Sequence, residues 1–394
     1  MNIKGQFNTA KVFIEDLEDD CIQQIKKICD LKIFSKNKIR VMPDVHSGKG
    51  SVIGLTMACS PSPDFVIPNI IGVDIGCGVT VLELEDIEID FSSLDNFIRR
   101  EIPHGHDVNK SWKEENFSRQ FIKKIQLLSD KTNTDFDRHM SSVGSLGSGN
   151  HFIEVSKDRR GQKYLLVHSG SRHLGHQTAQ YHQRVAERHC SEEVPRDLKY
   201  LEGKNVSEYL EDMKICQSFA TLNRLFMVLR IARHLDLDTS YISYIKKGIS
   251  LALDGRPLYL LGKEVPLWES VHNYFNFEDY VLRKGAVSAH RKEKLIIPLN
   301  MRDGSIVARG KGSPDWNFSA PHGAGRVLSR RKAKDLLNMD EFKESMKEIY
   351  TTSVSRGTLD EAPKAYKSKD EIIPLLDPCV EIIDEIIPLY NFKA

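Results

Sequence analysis

Glycines constrain this chain more than any other residue type, because they gather in short blocks at 43–54, 72–78, 144–149, 168–175 and 304–325. A residue without a Cβ reaches positive φ cheaply and lets other atoms approach the backbone closely. Blocks of this kind, separated by ordinary amphipathic sequence, read as loops that bring backbone up to a ligand. Between them, short β-branched or apolar runs at 51–57, 79–84, 164–167 and 294–298 predict strands. Helical periodicity appears at 17–29, 117–128, 177–189, 206–234 and 330–337. The stretch from Val206 is expected to be a core-packing helix or helical hairpin. Strands and helices do not alternate strictly, so an α+β fold is favoured over a doubly wound sheet.

At 394 residues the chain could hold one large domain or two to three ordinary ones. It carries no internal repeat, low-complexity tract or long Gly/Ser linker, so nothing demands a domain cut. Its 40% hydrophobic and 28% charged residues place it among globular proteins rather than disordered ones. The net charge of +1 excludes a polybasic mode of nucleic-acid binding and leaves room for a local basic groove. Met1 to Gln6 has no basic stretch followed by an apolar one, and no apolar run approaches the ~18 residues of a membrane span. A cytoplasmic location with no membrane association is the expectation.

Seven cysteines, sparse and without a C-x-x-C pair, argue against a disulfide framework and a zinc ribbon. Six read as small buried side chains. Cys77 differs, because Asp74-Ile75-Gly76-Cys77-Gly78 puts a carboxylate and a thiol three residues apart with glycines that let both turn to one point. Four of the fourteen histidines lie in blocks rich in Gly, Asn, Ser or Arg: His151, His168, His272 and His322. Any one alone would be a hydrogen-bonded structural residue. Together with Asp74 and Cys77 they supply the N, O and S donors of a transition-metal site, and two metals could share the thiolate. Softness alone favours Zn²⁺ over Mn²⁺, so the donors indicate a site without choosing its metal.

Three other patterns are rejected. Gly48-Lys49-Gly50-Ser51 lacks the upstream glycine of a phosphate-binding loop and has Gly50 after the lysine. Gly144, Gly147 and Gly149 do not have dinucleotide-fold spacing. His173, His176, His182 and His189 fall on or beside an expected helix and are assigned no role.

The chain resembles the RtcB family of RNA ligases. The resemblance rests on Met42-Pro43-Asp44-Val45-His46-x-Gly48-x-Gly50, Pro68-Asn69-x-x-Gly72-Val73-Asp74-Ile75-Gly76-Cys77-Gly78, Leu146-Gly147-x-Gly149-Asn150-His151-Phe152-Ile153-Glu154, His168-Ser169-Gly170-Ser171-Arg172, Arg283-Lys284-Gly285-Ala286 and His322-Gly323-Ala324-Gly325-Arg326-x-x-Ser329-Arg330. It runs in order from near residue 40 to the C-terminus. It implies a single large catalytic domain over residues 1–394 with the family's own α+β fold.

The resemblance further implies an enzyme that joins RNA ends bearing a 2′,3′-cyclic phosphate or 3′-phosphate to 5′-hydroxyl ends, in RNA repair or tRNA splicing, using GTP and Mn²⁺. The family's metal ligands fall on Asp74, Cys77, His151, His168 and His272, with Cys77 bridging two ions, and its guanylated nucleophile falls on His322. Its nucleotide contacts fall on Asn150, Phe152, Glu154, Arg172, Lys284, Arg326, Tyr366 and Lys393. A carboxylate such as Glu154 can accept from guanine N1–H and the exocyclic amine, and an ammonium such as Lys393 can donate to O6. Tyr366 matches a tyrosine that stacks on the base; Asn150, Arg172, Lys284 and Arg326 match phosphate contacts. At one residue from the end, the alternative for Lys393 is a frayed terminus. An accessory activating protein is a further implied partner.

The chain departs from the family at Pro298-Leu299-Asn300-Met301-Arg302-Asp303-Gly304, where many members carry Pro-Gly-Ser-Met-Gly; Arg302 adds a bulky cation there. Two other functions compete with ligation: a metal-dependent phosphodiesterase acting on RNA ends, and a catalytically inactive RNA-binding paralogue. A hydrolase has no need of a nucleotide-accepting histidine, and an inactive paralogue has no need of five intact donors.

Overall fold

The computed structural model describes residues 1–262 and 265–394. Its architecture is α+β, as expected. A seven-stranded antiparallel sheet runs in the order Leu267–Val271, Gly78–Leu84, Lys163–Ser169, Phe152–Lys157, Val380–Lys393, Gly304–Gly310, Lys294–Asn300. A six-stranded sheet combines Asn2–Lys4, Thr9–Val12, Lys38–His46, Ile53–Ala58, Val281–Lys284 and Asn273–Phe275. The expected strands and helices all occur, with ends shifted by a few residues.

The stretch 206–234 forms one unbroken helix, Lys204–His234, rather than a hairpin. Every side chain in its middle, from Phe219 to Leu225, is buried, the polar Thr221, Asn223 and Arg224 included, so this part of the helix is enclosed by the core. Two helices without a strong sequence signal, Phe91–Glu101 and Thr239–Leu253, begin at aspartate caps. Asp90 accepts from the backbone N–H groups of Ser92 and Ser93, and Asp238 from that of Ser240.

The two-residue period of the strands decides where the site lies. Leu82, Leu84, Ile153, Val155, Leu165 and Val167 point into the main core, which includes the long helix. The alternate residues Val79, Val81, Phe152, Tyr164 and Leu166 belong to a second cluster on the opposite face. His168 stands opposite both Val79 and Phe152, while Lys393 stands opposite Phe152 and Asn391 opposite Glu154. Directly opposed residues share a face, so Phe152, Glu154, His168, Asn391 and Lys393 all project away from the helical layer. Among the described residues no helix is long and apolar enough to cross a membrane.

Candidate active site

A cavity of about 640 Å³ opens on that face. The segment from Gly72 to Gly78 enters it between the short helix Pro68–Ile71 and the strand Gly78–Leu84. Gly76 is required there: at φ +75° it lies against the long helix, where a Cβ would come within 3.0 Å of the Ala220 Cβ and the Gln217 Cα. The close approach turns Asp74 and Cys77 toward the sheet.

Three imidazoles meet them. Cys77 Sγ lies 3.3 Å from His168 Nε2 and 3.6 Å from His151 Nε2. His151 Nε2 is 3.0 Å from Asp74 Oδ2, and His168 Nε2 is 3.3 Å from His272 Nε2. The far nitrogens of two rings are anchored on backbone: His151 Nδ1 at 2.8 Å from the Leu146 carbonyl and His168 Nδ1 at 3.0 Å from that of Asn150. At His168 a protonated Nδ1 donating to the carbonyl leaves Nε2 as a lone-pair donor facing the cluster, while His151 Nε2 faces it beside the Asp74 carboxylate. His272 is fixed by its backbone, whose N–H donates to the Cys77 carbonyl at 2.9 Å.

The donors form two groups, Cys77–His168–His272 and Asp74–Cys77–His151, with ligand atoms within 4.8 Å of one another in each group. Cys77 is common to both. Soft sulfur, neutral imidazole and one carboxylate suit transition metals, and a shared thiolate suits a pair of them. Burial, with neighbouring cationic groups adding to it, pushes His168 and His272 well below the usual imidazole range. They are therefore neutral and ready to ligate. Burial acts to raise Asp74, but the hydrogen bond and charge of His151, with Cys77 and Arg172, together outweigh it and hold the carboxyl at about 2. Burial, reinforced by Asp74, pushes the Cys77 thiol up, against the pull of Arg224. A bound cation supplies the charge that deprotonates such a thiol.

His322 continues the row, its ring centred 4.9 Å from that of His272. Asp44, fully buried, holds it through ring and backbone nitrogens. Sequence reasoning assigned Asp44 no role. Its proximity to His46 in one motif was a signal, but its partner lies 278 residues away.

The expected nucleotide contacts surround this row. Asn150, Phe152, Glu154, Lys284, Arg326, Tyr366 and Lys393 line the cavity. Glu154 is buried, accepting from Ser156 Oγ at 2.7 Å and Asn391 Nδ2 at 2.8 Å. Its burial, offset by those bonds, raises its carboxyl to about 7. Lys393 is ordered rather than frayed: it ends a strand and is 8% exposed. Ser353 Oγ donates to its carbonyl at 2.7 Å and accepts from its N–H at 2.9 Å. The Lys393 ammonium pairs with Glu361, whose carboxylate also meets Arg326 at 3.2 Å, Arg330 at 3.0 Å and the Tyr366 hydroxyl at 2.6 Å. Glu361 is a second residue that sequence reasoning missed.

Lys284 donates to the carbonyls of Lys49, Ser51 and Asn69, and burial lowers its ammonium to about 7. Arg172 stands apart from the other contacts, with φ +56° and its guanidinium on Ser145 Oγ and the Gly105 carbonyl. The departing segment contributes Pro298 to Met301 to the cavity wall, whereas the Arg302 guanidinium is about half exposed and folds onto Asp303.

A profile of the family described as tRNA-splicing ligase RtcB matches residues 24–394. The chain belongs to the RtcB family. It is 33% identical to the RNA-splicing ligase RtcB of Escherichia coli (strain K12), over 93% of this chain and 92% of that protein. It is 29% identical to the tRNA-splicing ligase RtcB of Nanoarchaeum equitans, over 95% and 91%. With the corresponding protein of Aeropyrum pernix the identity is 26%, over 90% and 87%. Similarity of this extent embraces every RtcB-like segment identified in the sequence, including both donor groups and His322.

Proposed function

We propose that this protein is an RNA ligase of RNA repair or tRNA splicing, working in the cytoplasm as one catalytic unit over residues 1–394, with GTP as co-substrate and two Mn²⁺ ions. The observation that carries the reading is the sharing of Cys77 by two donor groups, beside a histidine braced by a buried carboxylate. Asp74, Cys77, His151, His168 and His272 would hold the ions, and the residues fit them: two neutral imidazoles have no competing proton, and one thiolate serves both positions. When bound, the ions supply positive charge against phosphate oxygens.

His322 is the nucleophile in this reading. Asp44 keeps the proton on Nδ1 and so presents the Nε2 lone pair to the cavity. His322 Nε2 bonds to the α-phosphorus of GTP as pyrophosphate leaves. The histidine then passes GMP to an RNA 3′-phosphate, regaining its lone pair, and the 5′-hydroxyl of the second RNA end attacks that phosphate as GMP departs. Glu154, when ionised, accepts from guanine N1–H and the exocyclic amine, and adenine offers no such pair of donors. Phe152 and Tyr366 give the pocket aromatic walls, while Asn150, Lys284 and Arg326 supply donors for phosphate.

Incubation with α-³²P-GTP and Mn²⁺, followed by denaturing electrophoresis, tests the reading. The wild-type chain should retain label and His322→Ala should retain none while binding Mn²⁺ normally. Labelled His322→Ala would refute the nucleophile, and an unlabelled wild type that still opens cyclic phosphates would favour a phosphodiesterase.

A further inference from the structure

The helix Lys204–His234 supplies none of the proposed metal donors, yet two consecutive residues in it reach every segment that does. Asn223 and Arg224 are both fully buried behind the cavity. Arg224 Nη1 donates to the Gly76 carbonyl at 2.9 Å and the Ser169 carbonyl at 2.8 Å. Those carbonyls adjoin Cys77 and His168. Arg224 Nε donates to Thr80 Oγ1 at 3.0 Å, and Nη2 to Glu269 Oε2 at 2.6 Å. Glu269 lies in the strand that leads to His272.

Asn223 completes the set. Its Oδ1 accepts from the backbone N–H groups of Gly144 and Ser145 at 2.8 and 2.9 Å. Its Nδ2 donates to Ser169 Oγ at 3.0 Å and the Gly170 carbonyl at 3.1 Å. Ser169 Oγ in turn donates to the Leu146 carbonyl, on which His151 is anchored.

We propose that Asn223 and Arg224 are positioning residues that set the spacing of the five metal donors and thereby the affinity of the site. The inference rests on the metal-site reading above. A buried arginine held only for stability would need little more than Glu269 to neutralise it. Here the flat fork of the guanidinium joins two carbonyls, a hydroxyl and a carboxylate from separate segments, a pattern that a lysine ammonium cannot reproduce. Groups that orient metal ligands in this way are typically worth about 10- to 100-fold in metal affinity.

The test compares full-length wild type with Arg224→Lys, Asn223→Ser and Asp212→Asn. Asp212 is a buried acid on the same helix, bonded to His182 and Lys131 and remote from the donors. Mn²⁺ affinity is read from the electron paramagnetic resonance of the free ion, the thiolate-to-metal absorption of the Co²⁺ form reports the Cys77 bond, and thermal unfolding reports stability. Arg224→Lys and Asn223→Ser should bind Mn²⁺ about 10- to 100-fold more weakly, with a diminished Co²⁺–thiolate band. Asp212→Asn should lose stability and keep wild-type affinity. Folded Arg224→Lys or Asn223→Ser protein with wild-type affinity would overturn the proposal, as would Asp212→Asn losing affinity in step with its stability. If Arg224→Lys does not fold, Asn223→Ser decides by the same criterion. A wild type that binds neither metal refutes the metal-site reading itself, and this inference with it.

Discussion

One oxygen of Asp44 holds His322 twice: Oδ2 accepts the ring Nδ1–H at 2.7 Å and the backbone N–H at 3.1 Å. The two bonds fix ring rotation and tautomer together, which a single contact could not do. Its other oxygen is buried with no hydrogen-bond partner among the described residues, so the hydrogen bonding of this carboxylate serves His322 alone.

Asp44→Asn preserves shape while offering an amide that can donate to Nδ1. Donation there would move the ring proton to Nε2 and remove the attacking lone pair. The rate of label transfer from GTP should fall on the order of 10²- to 10⁴-fold, with Mn²⁺ content unchanged. Guanylation at the wild-type rate would show that the pair is merely structural.

Glu154→Gln replaces an acceptor by a group that is half donor. Discrimination of GTP over ATP should drop by at least about tenfold, the scale of one hydrogen bond to a charged group. Competition of the two nucleotides for protein labelling measures it, and intact selectivity would remove Glu154 from base reading.

Glu154 also carries a pH signature. Burial raises its carboxyl from 4.5 to about 7, so between those values the folded chain holds a proton that the unfolded chain releases. Its contribution to stability is full below about 4.5 and is lost as pH rises through 7. The ligand-free wild type should therefore lose more thermal stability between pH 5 and 7.5 than Glu154→Gln does. Equal losses would contradict the raised carboxyl. Guanine binding runs the other way, strengthening over the same interval as the acceptor ionises.

Lys393 couples to that carboxyl, because its charge lowers the Glu154 value. Lys393→Met should shift the rise of GTP binding to higher pH and weaken binding about tenfold at neutral pH. Calorimetric titration with GTP across pH 6 to 9 reads both effects. A pH profile superimposable on the wild type would place Lys393 outside the base pocket.

Much of this site was legible in the sequence because every donor except His272 sits in or beside a glycine-rich block, and the two-residue period with the strand register puts Phe152, Glu154 and His168 on one face. What stayed hidden depends on long-range partners. Asp44 has its meaning only through His322, and Glu361 only through Arg326, Tyr366 and Lys393. The order of Lys393 was equally invisible, since it arises from pairing with Phe152 across the sheet. The strand Val380–Lys393 lacks alternation, holds Pro388 and is bulged against both neighbours, so no period marks it.

Cys77 is the position where a catalytic and a structural role predict opposite results. If its thiolate joins two ions, Cys77→Ala removes one ligand from each, leaving Asp74 and His151 on one side and His168 and His272 on the other. Two cations would then face each other with no anion between them, and both should be held far more weakly. Were Cys77 only a small buried side chain, alanine would be nearly isosteric and cost roughly 1 kcal/mol, with metal content intact. Elemental analysis of purified Cys77→Ala, beside its Mn²⁺-dependent ligation rate, separates the two. Joint loss of metal and activity is the expected outcome; a metal-replete, active variant would rule out the bridge.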